Sequence, residues 1–488
     1  MIPPHVDESA FFARLARFEI ETPSWGYADT GTRFGKFLQP AAATTIEEKL
    51  ADAAQVHKYT GCCPSVAVHV LWDFPVLADG RSAGPPCPAG VETPGPAAVS
   101  GNSVGHGGPT LQTAARAVAE TARRLGLRIG SINPNLFQDQ CYKWGSLTNR
   151  DPAIRARAMQ HIRDCLAIGR AVDLIDSASA QEPSLHSASG RTSPRILNLW
   201  LADGTNYPGQ ASLRERKRLL REALCDIHDA LPTDWTMLIE YKPFEPAFYH
   251  TDIADWGMAC AFARHAGPRA KVLVDTGHHL PGANIEHIVA FLIDEDLLGG
   301  FHFNDRKYAD DDLTMGSIDP YQLFRIFHEI TAAEHERREL RVTNPELQVR
   351  NSELATRNSQ LATRNSQLAT RNSELPDLPI AYMVDQSHNL KPKIEAMIQT
   401  VMTAQEHFAK ALLVDHAALA RARQREDLVA SENILRDAFA TDVRPLLADW
   451  RQSRGLPPDP LAAFRESGYT ERVARERGAR KVQSTQYA

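Results

Sequence analysis

The sequence predicts an α/β protein built as a (β/α)8 TIM barrel with an extra C-terminal helical region. Three observations carry that expectation. Short apolar β-rich runs recur along the chain, and helical patterns lie between most of them, which implies a parallel sheet. Eight such units over roughly 370 residues match the length of a barrel with insertions. No Gly-rich GxGxxG turn follows an early strand, which disfavours the doubly wound open sheet as the alternative.

The expected strands are 17–25 (RFEIETPSW), 65–72 (SVAVHVLW), 127–133 (LRIGSIN), 196–203 (ILNLWLAD), 236–242 (TMLIEYK), 271–275 (KVLVD), 299–304 (GGFHFN) and 380–386 (IAYMVDQ). Helical periodicity is clearest over 110–126, 211–231 and 320–335. The barrel is expected to occupy 1–400 and a helical extension 401–488. The stretch 393–450 reads as too long for a barrel's closing helix, and the basic tail ERVARERGARKVQSTQYA reads as frayed. Two insertions interrupt the pattern. Residues 78–109 are rich in Gly and Pro without periodicity, and 345–378 contain the tandem heptad RNSELAT, RNSQLAT, RNSQLAT, RNSEL, a thin apolar seam or a disordered spur.

Composition narrows the function. The chain has 488 residues, 43% hydrophobic and 23% charged, with a formal charge of -6 from 54 basic and 60 acidic side chains. That balance gives no reason to expect nucleic acid or a membrane as partner, and no apolar run approaches a membrane span. The N-terminus lacks a basic start followed by an apolar core, so no secretory signal is expected. Seven cysteines, scattered and without a CxxC pair, suit reduced thiols in the cytoplasm.

Side chains at the C-terminal ends of barrel strands converge on one mouth, so those ends are a test of function. The fifth run gives Glu240 and Lys242 on one face. The sixth ends at Asp275, with His278 in the turn beyond. The seventh, GFHFNDRKYADDDL, alternates ring and polar residues, aims His302 and Asn304 the same way, and runs into Asp310, Asp311 and Asp312. The eighth gives Asp385, with Ser387 and His388 following. Each feature alone is commonplace: a DxD is usually a solvated turn, and a Glu–Lys pair is often structural. Together they gather five carboxylates in one cavity, where like charges resist burial. Two divalent cations would neutralise most of that charge and accept hard oxygen and imidazole ligands. The ligands separate into Glu240, Asp275, His302 and Asp385 on strand ends, and His278, Asp310 and Asp312 on loops, with Asp275 bridging the two sets. Asp311 is expected to face solvent.

The order ExK, DxxH, strand His, DxD, strand Asp resembles the xylose isomerase-like barrels, and more closely the L-rhamnose isomerases of the broad-specificity bacterial type. The blocks that carry the resemblance include PSWGYADTGTRFGKF (24–38), NPNLFQDQCYKWGSLTNRDP (133–152), EYKPFEPAFYHTDIADWG (240–257), VDTGHHLPGANIEHIVAFL (274–292) and YMVDQSHNLKPKIEAMI (382–398), within 10–450 overall. The resemblance implies a metal-dependent aldose–ketose isomerase that converts L-rhamnose to L-rhamnulose, with related sugars also accepted. It implies two divalent ions per subunit, Mn²⁺ first among Co²⁺, Zn²⁺ and Mg²⁺, no organic cofactor, and a homotetramer. Glu240, Asp275, His302 and Asp385 match the substrate-anchoring metal site; Asp275, His278, Asp310 and Asp312 match the catalytic one. Lys242 matches a lysine near the sugar's carbonyl end, Trp200 and Trp72 match aromatic walls of the sugar pocket, and Ser387 falls beside the substrate. The expected chemistry is a metal-assisted 1,2-hydride shift. A sugar epimerase or an enediol-type isomerase on the same barrel is the alternative, and a metal-assisted hydrolase would want more histidine ligands and a basic groove.

Overall fold

A computed structural model describes residues 2–28, 39–74, 111–179, 195–245, 248–308, 310–343, 378–387 and 390–485. Both insertions singled out in the sequence, 78–109 and 345–378, lie outside these residues apart from Leu378. Eight parallel strands form a nearly closed barrel: β1 (Thr22–Pro23), β2 (Ser65–His69), β3 (Arg128–Asn133), β4 (Ile196–Leu199), β6 (Thr236–Glu240), β8 (Ala270–Asp275), β9 (Leu298–Phe303) and β10 (Ala381–Val384), hydrogen-bonded in that order. The seam between last and first strand is joined at Glu21, whose N–H donates to the Tyr382 carbonyl at 2.8 Å while its carbonyl accepts from the Val384 N–H at 2.9 Å. A small antiparallel pair, β5 (Gly204–Thr205) with β7 (His250–Thr251), stands outside the barrel sheet.

A helix follows each barrel strand, in turn Ile46–Thr60, Leu111–Arg124, Pro152–Ser179, Leu213–Ala230, Trp256–Ala266, Ile285–Asp294, Pro320–Thr343 and Lys393–Leu412. The starts are capped as the local sequence dictates. Thr45, Ser212, Asp255 and Asn284 each accept, through a side-chain oxygen, a backbone N–H of the first turn.

The 393–450 stretch departs from expectation. It is not one long helix but is cut by Asp415 and Asp427, each an N-cap, and by Pro445 in the first turn of Arg444–Ser453. Its first piece, Lys393–Leu412, is the closing helix itself and packs between Pro320–Thr343 and Ile46–Thr60. It also runs through the expected boundary at 400. The tail expected to fray is a helix, Tyr469–Thr485. Arg477 explains it: its guanidinium meets the buried Asp52 carboxylate with two contacts of 2.8 Å and also donates to the Ala41 carbonyl at 2.6 Å.

Two features of the barrel position the site. Phe301 and Phe303 alternate with His302 along β9 and are fully buried on the helix side, Phe303 lying 5.4 Å from the Phe327 ring; each contributes on the order of 2 kcal/mol. The second feature is a bulge. Val272 pairs with Leu298 but Leu273 pairs with Gly300, so Gly299 is an extra residue on β9. A Cβ at Gly299 would come within 2.3 Å of Leu238, which lies in the barrel interior beside Leu273 and Met383. The shift brings Asp275 alongside His302. Without it Asp275 would neighbour Phe301, since a one-residue slip turns every side chain to the opposite face. Among the described residues no helix is long and apolar enough to cross a membrane.

Candidate metal centre

Strand geometry alone delivers four ligand-type side chains to one point. Glu240 and Asp275 are the last residues of β6 and β8, His302 is the penultimate residue of β9, and Asp385 follows β10. One ligand atom from each of Glu240, Asp275, His302 and Asp385 lies within 4.8 Å of all the others. From His302 Nδ1 the carboxylate oxygens are at 3.3 Å (Glu240), 3.9 Å (Asp275) and 3.7 Å (Asp385).

Outer contacts orient three of these acids. Asp275 Oδ1 accepts from the Gly277 N–H at 2.7 Å and from the Asn304 amide at 3.0 Å. Asp385 Oδ1 accepts from the Trp25 indole N–H at 2.8 Å. Glu240 Oε2 accepts at 3.2 Å from Asn198, whose amide also reaches Asn133. The inward atoms Asp275 Oδ2 and His302 Nδ1, by contrast, have no hydrogen-bond partner among the described residues. Buried polar atoms without partners are costly. A hard cation would satisfy both, and the oxygen-and-imidazole donor set suits one.

The loop ligands lie against this group. His278 Nε2 is 3.6 Å from Asp310 Oδ1 and 3.9 Å from Asp275 Oδ2. Its Nδ1 is 3.2 Å from Glu240 Oε1, so His278 touches both sets and the division expected from the sequence is not clean. Asp312 adopts a left-handed backbone, φ 49°, and its carboxyl hydrogen-bonds that of Asp310. Asp311 is exposed, as expected, and its carboxylate accepts from the Lys307 and Tyr308 N–H groups to close the turn.

The electrostatics follow from crowding acids out of water. Burial opposes the charge of His302, but Glu240, Asp385 and Asp275 outweigh it and push the imidazole up to about 9. Burial likewise opposes charge on His278, and Asp275, Asp310 and Glu240 raise it well above the usual range. Burial pushes Asp275 up to about 7, against the pull of His278 and with help from Glu240, Asp385 and Asp310. Asp312 is raised by burial and by Asp310. Glu240 and Asp310 go the other way: the histidines overcome burial and hold both below the ordinary carboxylate range.

Lys242 adjoins the loop side. Its ammonium is 2.6 Å from Asp310 Oδ2, pairs also with Glu245, and lies 5.2 Å from the Trp200 ring centroid. Burial works against its charge, but Asp310 and Glu245 outweigh that and raise it. Trp72 stacks on His69 at 3.6 Å, and Trp25, Phe137 and Trp200 extend the same aromatic wall, Phe137 standing edge-on to Trp200 at 4.7 Å. Ser387 is buried, and its carbonyl accepts from the Lys393 ammonium. Sequence reasoning gave no role to Trp25, Asn198, His69, Phe137 or Glu245. For Asn304 a signal existed, since it shares the strand face of His302.

The chain is similar to known proteins over most of its length. Residues 90–351 match the model of the xylose isomerase-like TIM barrel family. A probable sugar isomerase of Rhizobium meliloti is 34% identical over 479 residues, 97% of this chain and 90% of that protein. A second probable sugar isomerase, from Mesorhizobium japonicum, is 32% identical over 475 residues, 96% of this chain and 88% of that one. A solved xylose isomerase domain protein of Alicyclobacillus acidocaldarius covers 64% of this chain and 85% of its own at 14% identity with a TM-score of 0.35, a likeness too loose to bear on the site.

Proposed function

The chain belongs to the xylose isomerase-like TIM barrel family, and from that premise we propose that it is a metal-dependent aldose–ketose isomerase acting on L-rhamnose and related sugars. The observation that carries the reading is the four-residue group of Glu240, Asp275, His302 and Asp385, with two inward atoms left without partners. The name shared by both relatives supports a sugar as substrate. The blocks around 24–38, 133–152 and 382–398 favour L-rhamnose within that class.

Glu240, Asp275, His302 and Asp385 would hold one divalent ion, and Asp275, His278, Asp310 and Asp312 a second, Mn²⁺ in both by preference. When bound, the ions supply Lewis-acid polarisation of the sugar's carbonyl and neutralise the acids. The remaining work belongs to the chain. Lys242 stays protonated between Asp310 and Glu245, and its fixed positive charge stabilises the negative charge that develops on the sugar's oxygen. Asp310 is oriented from both sides, one oxygen on Lys242 and the other facing His278. The wall of Trp25, Trp72, Phe137 and Trp200 presents apolar faces to the sugar's carbon-bound hydrogens and keeps water away. No redox cofactor is required, because the hydrogen gained at one carbon leaves its neighbour. A cytoplasmic homotetramer completes the proposal.

The test is an assay of L-rhamnose to L-rhamnulose conversion after exhaustive chelation and again after Mn²⁺ is restored, followed by a panel of aldoses. Chelation is expected to abolish turnover and Mn²⁺ to restore it; activity that persists without metal refutes the reading. Running the reaction in deuterated water separates the carbon chemistries. A hydride shift leaves the transferred hydrogen unexchanged, whereas an enediol route places deuterium on carbon.

A further inference from the structure

We infer that Trp25 is a positioning residue for the ion site and joins that site to the aromatic wall. The inference rests on the metal-site reading above and adds to it a residue that is itself no ligand. Trp25 lies in the short 3-10 turn Ser24–Tyr27, just beyond β1. Its indole N–H donates to Asp385 Oδ1 at 2.8 Å, leaving Oδ2 to face His302 at 3.7 Å. An indole N–H is a donor only, so the Asp385 oxygen it meets serves as the acceptor. Trp25 thereby fixes which Asp385 oxygen points inward.

The turn has little freedom to place the indole elsewhere. Ser24 Oγ donates to Asp73 Oδ2 at 2.5 Å, and the Tyr27 hydroxyl donates to Thr22 Oγ1 at 2.9 Å. Gly26 sits so close to the chain beyond β10 that a Cβ there would come within 3.0 Å of the Gln386 carbonyl and 2.8 Å of Met397 Cε. That approach sets the turn directly beside Asp385. The other side of the same ring meets the wall, edge-on to His69 at 6.1 Å and to Trp72 at 6.3 Å. One rigid side chain therefore touches both a candidate ligand and the surface offered to the sugar.

The test is a sugar-free Mn²⁺ titration of the metal-depleted protein against a chromophoric chelator, for the wild type, Trp25→Phe and Trp72→Phe. Outer partners of metal ligands are typically worth about 10–100-fold in affinity. Trp25→Phe is expected to weaken one ion per subunit by that factor, whereas Trp72→Phe leaves Mn²⁺ affinity unchanged and raises only KM for the sugar. Should Trp25→Phe not fold, benzothienylalanine at position 25 replaces the indole N–H by sulfur at nearly constant ring shape, with the same expectation. A variant lacking the donor that binds Mn²⁺ as tightly as the wild type overturns this inference. A wild type that binds no Mn²⁺ overturns instead the metal-site reading on which it rests.

Discussion

His302, at the barrel mouth, and His328, on the helix Pro320–Thr343, are 3% and 2% exposed. Each has ring nitrogen without a hydrogen-bond partner among the described residues. Burial acts on both in the same direction, yet His302 is pushed up to about 9 and His328 down to about 4. The difference is the company they keep. His302 faces Glu240, Asp275 and Asp385, while His328 has Arg423 nearby and a stack of imidazoles beside it. His416 lies 5.5 Å from His328 and 4.8 Å from His335, with ring planes nearly parallel. Seven residues along one helix separate His328 and His335 by roughly 10 Å, so His416 is sandwiched and the three do not converge on one point. A buried orphan nitrogen thus says nothing by itself about function. Among carboxylates it marks a place that wants a cation; among arginines and imidazoles it marks one that excludes charge.

The strongest way to break this comparison is at Asp275, whose free oxygen is 3.9 Å from both His278 and His302. Asp275→Asn is expected to lose bound metal, measured by elemental analysis after dialysis, and to lose more than about 100-fold in turnover, beyond the cost of an outer partner. Full metal content with normal turnover would remove its shared role. The matched pair His302→Asn and His328→Asn sharpens the contrast. The first should depress Mn²⁺ affinity with modest change in melting temperature. The second should leave Mn²⁺ affinity intact and change stability by about 1–2 kcal/mol. His278→Ala should reduce kcat more than it weakens sugar binding. Its contact with Glu240 means some loss of metal affinity accompanies the effect, and equal loss of kcat and sugar affinity would dissolve the distinction between the two ion positions.

The last expected effect concerns pH. The folded state lowers His328 to about 4 and His416 to about 3, against about 6.5 in the unfolded chain. Below 6.5 the unfolded chain binds protons that the folded stack refuses, so the stabilisation is present above about pH 6.5 and declines as pH falls toward 4. The loss should be up to about 2 kcal/mol for each imidazole between pH 7 and 5. Denaturant melts of His416→Gln should show a flatter slope over that window; a slope equal to that of the wild type would contradict the assignment. Arg338, Arg423 and the nearby Glu329 are the charged groups to hold constant.

The barrel and the four strand-end residues were legible in the sequence because each is a local signal. An apolar run ends in one acid or imidazole, and parallel strands necessarily bring such ends together. Other features depend on partners far away in the chain. Trp25 meets Asp385 across 360 positions, and Arg477 meets Asp52 across 425. No local pattern announces either pairing, which is why the Tyr469–Thr485 helix reads as a loose basic tail. The breaks in the C-terminal helices were visible as Asp415, Asp427 and Pro445, but the continuous helical periodicity concealed them. The part played by His278 is ambiguous for a different reason: a turn residue can lean toward either neighbour, and here it leans toward both.

A strand that counts in twos has a parity, and β9 changes parity at Gly299. Were Gly299 taken into the ladder opposite Leu273, every acid and imidazole of the mouth would remain in the chain, yet His302 would rotate out among the helices and a phenyl ring would turn inward in its place. The chemistry of this barrel is thus set by an odd number, supplied by the residue that has no side chain to contribute.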